Sequence, residues 1–394
     1  MQRGGMLAFR PIEVKRENRA EKTSEKSNAS DIEEAMPGAP FPPTGVLVYS
    51  LPEASPFSFT TVNTLSPAGQ TGTARLYRIE PEAPSAAPGV EAYIATTPGT
   101  RAICNDPSVA GIRYTRLLRE ACTEILRALA PDVPESDAVV VNILRGGLNF
   151  GLRDALADAF GWNAHTTCFM SAQRARDAPD SEAWHITENS YRKVYFPKAA
   201  SFFVGDVVAT GTSLRYGLQE LLNSAAEQHV AVRNLVFFTY GGPKAHEILR
   251  EIDADCRARF PGYGRTILVY LEGRFVVPAP DTPLHVRLTG TDLIRLGALM
   301  APEFVESQYE SPSYPIERCT IYDAGSRAFW LYEYVADVIG YWRQNLQFAN
   351  HGMTFSELLA ERFPELDAAR FGDVDLRALA RDRIAAMERV LRPE

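Results

Sequence analysis

Between residues 106 and 275 two kinds of segment alternate. Short, solidly apolar runs occupy 138–144, 164–170, 201–204, 234–240 and 266–271. Longer stretches between them repeat their apolar residues at helical spacing, over 148–160, 213–227 and 243–259. A further helix is expected to open at Asp106-Pro107, with Ile112, Leu117, Ile125 and Leu126 on its apolar side. The cue is a capping side chain followed by proline at the first helical position. Strands that are apolar without alternation are covered on both faces, and strand–helix alternation builds parallel sheets. The pattern predicts an α/β fold with a doubly wound parallel sheet. Ligands of such sheets bind beyond the carboxyl ends of the strands.

The flanks read differently. Residues 14–35 are rich in Glu, Lys, Arg, Asn and Ser and have little to bury, so 1–43 is expected to be a disordered tail. Short β-like runs at 46–49, 57–62, 74–79 and 92–96, separated by Pro and Gly, predict a β-rich N-terminal appendage over 44–105. Beyond the core, 284–299 is expected to hold a strand and a helix, and 329–342 a helix. Leu376, Leu379, Ala380, Ile384, Met387 and Leu391 form a helical stripe that is expected to face a core. This divides the chain into a core over 106–275, an extension over 276–345 and C-terminal helices over 346–394. No internal repeat is visible.

Composition narrows the classes. A chain of 394 residues that is 45% hydrophobic can bury a large core. A net charge of −8 excludes a broad basic face for nucleic acid. Cys104, Cys122, Cys168, Cys256 and Cys319 are scattered, with no Cys-x-x-Cys pair, so neither a disulfide framework nor a zinc site is expected. No apolar run approaches the ~20 residues of a membrane span, and the N-terminus lacks the apolar stretch of a signal peptide. A cytoplasmic protein without nucleic-acid or membrane partners is expected. There is no His-Glu-x-x-His, no Gly-x-Ser-x-Gly and no correctly spaced Walker loop.

The strongest chemical signal is the segment 201–214. An apolar strand runs into Gly205-Asp206, then into the turn Ala209-Thr210-Gly211-Thr212-Ser213, and a helix follows. Successive amides in such a turn form a concave nest, and the helix N-terminus adds donors and a positive dipole end. Gly211 permits close approach, while Thr210, Thr212 and Ser213 supply hydroxyls. Asp206 would repel a phosphate in that nest and suits neighbouring hydroxyls instead. A ribose beside its own phosphate satisfies both.

Three further segments join it. Arg145-Gly146-Gly147 leaves the first core strand, exposing backbone amides beside a cation able to fork onto an anion. Residues 171–198 are polar and contain Arg174, Arg176, His185, Arg192, Lys193 and Lys198, which suits a lid. Lys193 is the preferred cation there, because it borders the strand leading to the nest. The last segment is Tyr322-Asp323-Ala324-Gly325-Ser326-Arg327-Ala328-Phe329.

Together these segments resemble type I phosphoribosyltransferases, nearest to the uracil phosphoribosyltransferase-like branch. The 201–214 segment resembles the family's phosphoribosyl diphosphate signature, with Gly205 in place of its first acidic residue. Ile143-Leu144-Arg145-Gly146-Gly147-Leu148 is similar to the pyrophosphate loop, and 171–198 lies where the family has a mobile hood. The 322–329 segment resembles the uracil enzymes' base-binding stretch, with Tyr322 and Ser326 departing from it.

The resemblance implies transfer of ribose 5-phosphate from phosphoribosyl diphosphate to a nitrogenous base, with release of pyrophosphate and magnesium as cofactor. It assigns phosphate to Ala209, Thr210, Gly211, Thr212 and Ser213, ribose to Asp206, and pyrophosphate to Arg145, Gly146 and Gly147. The base falls to Asp323, Gly325 and Arg327. Asp206, Lys193 and Arg145 are the candidate catalytic residues, no protein metal ligand is assigned, and a homodimer is expected. Gly205 keeps a second reading open, a non-catalytic sensor of nucleotide or phosphoribosyl diphosphate. A third is an interaction protein whose flanking regions build a larger assembly.

Overall fold

The computed structural model describes residues 65–80, 89–144, 151–176, 184–188, 190–279, 281–286, 292–318 and 321–392. The tail, the apolar runs at 46–49 and 57–62, and Cys319 lie outside them.

Six parallel strands make the centre. In chain order they are β3 (Glu91–Thr96), β4 (Ala138–Leu144), β5 (Thr166–Ser171), β9 (Ala199–Val208), β10 (Ala231–Gly241) and β11 (Arg265–Val276). In space they run β3-β11-β10-β9-β4-β5. The middles of β4, β9, β10 and β11 are buried almost without interruption, as their apolar runs require. Antiparallel strands β1 (Leu65–Thr71) and β2 (Ala74–Ile79) extend one side and β8 (Arg192–Lys193) the other. Strand β12 (Ile294–Met300) pairs with the far end of β11, completing a ten-stranded sheet. The β-like runs at 74–79 and 92–96 therefore continue the main sheet, through the parallel pairing of β3 on β11.

The helices of this layer are α1 (Pro98–Asn105), α2 (Gly111–Leu129), α3 (Leu152–Phe160), α4 (Thr212–Glu227) and α5 (Pro243–Arg259). From β4 the chain passes through α3 to β5 on one flank. From β9, on the other flank of β4, it passes through α4, β10 and α5 to β11 in the opposite direction. Right-handed crossovers then put α3 on one face and α4 and α5 on the other. Helix α2 packs on α3, and α4 packs on α5. The direction of winding reverses between β4 and β9, which is where a sheet of this kind opens a crevice.

Three local expectations change. No helix begins at Asp106-Pro107. Thr97 caps α1 with a capping box, and α2 starts at Gly111. Asp106 instead accepts hydrogen bonds from Ser108 N at 2.9 Å and from Arg383 Nη2 at 2.9 Å, so its capping chemistry serves a link between helices. Strand β9 continues past Asp206, because Val207 and Val208 stay paired with Tyr240 and Gly241. The 171–198 stretch contains a hairpin, β6 (Gln173–Arg176) on β7 (Trp184–Glu188), and then β8 against β5.

The C-terminal additions are helical. Short helices α6 (Pro302–Ser307), α7 (Ser313–Ile316) and α8 (Ala324–Phe329) lead into α9 (Leu331–Asn350), α10 (Phe355–Arg362) and α11 (Leu376–Val390). Trp342, Leu358, Phe363, Ala380 and Met387 form a second buried cluster there, so the apolar stripe of α11 is core. No helix among the described residues is long and apolar enough to cross a membrane.

One residue joins the sheet to its N-terminal side under strain. Leu271 pairs with β3 and Gly273 with β12, and between them Glu272 is fully buried at φ +66. Its carboxylate accepts hydrogen bonds from Thr97 N at 3.2 Å and from Thr100 Oγ1, at the start of α1. Its backbone oxygen accepts one from Ala301 N at 2.9 Å. Burial pushes this carboxyl up from 4.5 to about 7 in spite of those bonds. The folded chain then holds a proton that the unfolded chain has released between these pH values. Stability should therefore be highest below pH 4.5 for this group and fall as pH rises through 7. The expected loss is about 3 kcal/mol. Glu272→Gln should remove this slope in urea unfolding at pH 5 and pH 8, and parallel pH profiles for the two proteins would refute the assignment.

Candidate functional site

A cavity of about 430 Å³ opens at the carboxyl ends of β4 and β9, at the winding reversal. Its floor is Ile143 and Leu144 from β4, Asp206–Ala209 from β9 and its turn, and Gly211, Ser213 and Leu214 from the start of α4. Its opposite wall is Ile321–Ser326 with Phe329, Trp330 and Glu333. Two segments more than a hundred positions apart thus face one space.

The floor is shaped by Gly211. It caps α4 at φ +76, and no side chain caps that helix. Its amides at the first turn carry the positive end of the helix toward the cavity. A Cβ on Gly211 would sit 2.2 Å from Ile248 Cδ1 and 3.4 Å from Lys244 Cγ, so the Ile248 side chain would have to shift, and the positive φ disfavours any side chain here. Asp206 is half-buried in the strand, and its Oδ1 accepts a hydrogen bond from Val207 N at 2.8 Å.

The wall is positioned by Arg327, which is only 1% exposed. Its Nε donates to Val109 O at 2.7 Å and its Nη2 to Asp106 O at 2.8 Å. The guanidinium lies 5.2 Å from the Tyr114 ring centre and 5.6 Å from that of Tyr334. Arg327, expected beside the base, is therefore an anchor for α8 and does not line the cavity. Asp323 caps α8, accepting from Ser326 N at 2.9 Å. Tyr322 is buried, donates to Glu317 Oε1 and lies under the Arg318 guanidinium at 4.5 Å. Phe329 and Trp330, by contrast, are 53% and 61% exposed at the cavity rim.

Of the residues expected at the site, Asp206, Ala209, Gly211, Ser213, Asp323 and Gly325 line this one cavity. Thr210 and Thr212 belong to the same turn without lining it. Lys193 sits on β8 with its ammonium 5.7 Å from the Tyr195 ring centre, outside the lining. Arg145, Gly146 and Gly147 lie outside the described residues, directly after Leu144. The sequence reading missed Asp292, Trp330 and Glu333 as lining residues. An aromatic pair at a helix junction, Phe329-Trp330, was the available signal. Among the described residues no group of three His, Cys, Asp or Glu could hold a metal ion.

No family model matches the chain, and no curated protein does. Among solved structures it is similar to a hypoxanthine phosphoribosyltransferase from Staphylococcus aureus, at 18% identity and a TM-score of 0.25, over 40% of this chain and 74% of that one. It is also similar to a hypoxanthine phosphoribosyltransferase from Trypanosoma cruzi in a ternary substrates complex, at 12% identity and a TM-score of 0.21. That likeness covers 52% of this chain and 93% of the other. Likeness this partial leaves the functional reading to the cavity itself.

Two outcomes test the geometry. Arg327→Met keeps the bulk but strands the buried Val109 carbonyl and the part-buried Asp106 carbonyl, so unfolding free energy should drop by about 2–5 kcal/mol. Amide exchange in α8 should quicken with it; unchanged exchange would mean the wall is held by something else. Gly211→Ala should cost about 1–3 kcal/mol from its dihedral alone, measurable in the same urea titration.

Proposed function

We propose that the cavity binds phosphoribosyl diphosphate and transfers its ribose 5-phosphate to a ring nitrogen of a planar base, releasing pyrophosphate. The observation that carries this reading is that the Asp206–Ser213 turn and the Asp323–Trp330 segment line one cavity at the winding reversal. The 5-phosphate would rest on the turn from Ala209 to Ser213, where amides, hydroxyls and the start of α4 converge. Asp206 would accept from the ribose hydroxyls. The base would occupy the aromatic side.

Such a transfer builds positive charge at the anomeric carbon and negative charge on the departing pyrophosphate. The chain's contribution is therefore placement and electrostatics. Asp206 would stabilise the positive centre, and Arg145, Gly146 and Gly147 would meet the pyrophosphate. A magnesium ion, when bound, would neutralise that leaving group. The donor set fits an ion carried mainly by substrate oxygens and water, with Asp206 the carboxylate on the ribose side. The polar stretch containing Lys193 would exclude water as a lid.

The test is pyrophosphate release from phosphoribosyl diphosphate and magnesium with a panel of nucleobases. Asp206→Asn keeps the shape and removes the charge. It should lower kcat about 100-fold or more while changing phosphoribosyl diphosphate affinity far less. Unchanged turnover would remove Asp206 from the mechanism. Gly205, where the resembled signature is acidic, supports a second reading as a sensor; tight binding without any pyrophosphate release would establish it.

A further inference from the structure

We infer that the base side of the cavity selects a planar ring that offers N–H protons or carries positive charge, and discriminates against rings bearing a carboxylate. Trp330 and Glu333 are its specificity-determining residues. The inference rests on the reading of this cavity as a phosphoribosyl-transfer site.

The wall opposite the turn carries three carboxylates, Asp292, Asp323 and Glu333, and the described lining contains no Lys, Arg or His. These acids are not equivalent. Asp292 is buried, with Arg318 Nη2 3.5 Å away. Asp323 uses one oxygen to cap α8. Glu333 is exposed in the first turn of α9 and receives one long hydrogen bond, from Ser326 Oγ at 3.5 Å. An ionised carboxylate only accepts hydrogen bonds. It can take an N–H from a ring edge, but it repels a second carboxylate in the same space.

Trp330 supplies the flat partner. Its backbone is pinned between α8 and α9, with its N–H donating to Ser326 O at 2.8 Å. Its indole nevertheless stays 61% exposed at the rim, while Trp342 is fully buried. A pinned backbone with an exposed ring presents a stacking surface at small ordering cost. The negative face of the indole adds to the preference for an electron-poor or cationic ring. Trp330 and Glu333 are three positions apart across the start of α9, so ring face and ring edge can be read together.

The full-length protein should be assayed for pyrophosphate release with phosphoribosyl diphosphate and magnesium, using hypoxanthine, adenine and uracil against orotate and nicotinate. The expected kcat/KM for the best uncharged base exceeds that for either carboxylated ring by at least about tenfold. Glu333→Gln should narrow that ratio, mainly by lowering KM for the carboxylated rings, and Trp330→Ala should raise KM for every base. Calorimetry with phosphoribosyl diphosphate alone tests the underlying reading separately. If orotate or nicotinate serves as well as the uncharged bases, the selectivity is refuted while the transfer reading stands. If Glu333→Gln leaves the ratio unchanged, Glu333 does not set it. If phosphoribosyl diphosphate neither binds nor reacts, both fall. The wild-type ratio decides the matter even if a variant fails to fold.

Discussion

A buried guanidinium ties the wall of the cavity to the link between α1 and α2. Arg327 reaches from α8 to the backbone of the link between α1 and α2, with hydrogen bonds of 2.7 and 2.8 Å to carbonyls more than two hundred positions earlier. A buried charge is tolerated only when its donors are spent and its field is shared. Here two carbonyls take donors, and the Tyr114 and Tyr334 rings take the field. Without that clamp α8, only six residues long, has no internal means of holding a position over the sheet. Asp323, Gly325 and Trp330 owe their placement to a residue that does not touch the cavity.

The floor depends on topology instead. Winding reverses between β4 and β9, which is where a sheet of this kind leaves a gap. Into that gap β9 delivers Asp206, and α4 begins at once, its N-terminus formed by a glycine. The lining is acid-rich, with Asp206, Asp292, Asp323 and Glu333. A phosphate is compatible with it only where backbone dipoles outweigh those acids. Helix dipole effects fade within about one turn, so that place is the turn from Ala209 to Ser213. In the proposed complex the remaining acids would face the part of the ligand that carries no phosphate.

Much of this order was legible along the chain. Strand β4 and helix α5 have the bounds that the apolar run at 138–144 and the Pro243 start suggest. Both are cases where local preference and tertiary demand agree. Strand β9 was read too short, because Val207 and Val208 are held by pairing with β10, which no window around them reveals. The resemblance of 322–329 to a base-binding stretch assigns Arg327 to the base, whereas its partners are the carbonyls of Val109 and Asp106. Trp330 and Glu333 gave no motif, since their role comes from the junction of α8 and α9. The strands at 74–79 and 91–96 looked like an appendage because β3's partner, β11, comes more than a hundred and seventy residues later.

This division of labour has a consequence for how the site could change. Floor residues are bound into the parallel sheet, where Gly211 cannot accept even a methyl group without meeting Ile248. The wall is different. Phe329, Trp330 and Glu333 are exposed, outside the core that Arg327 and the Asp323 cap hold in place. Substitution there costs little stability, since exposed positions outside caps and core are usually worth less than about 0.5 kcal/mol. On the proposed reading the floor is constrained to one kind of ligand group, an anion at the start of α4, while the wall could be tuned to the planar partner that would meet it. A constrained floor and an adjustable wall would let the partner specificity vary without disturbing the turn proposed to hold the anion.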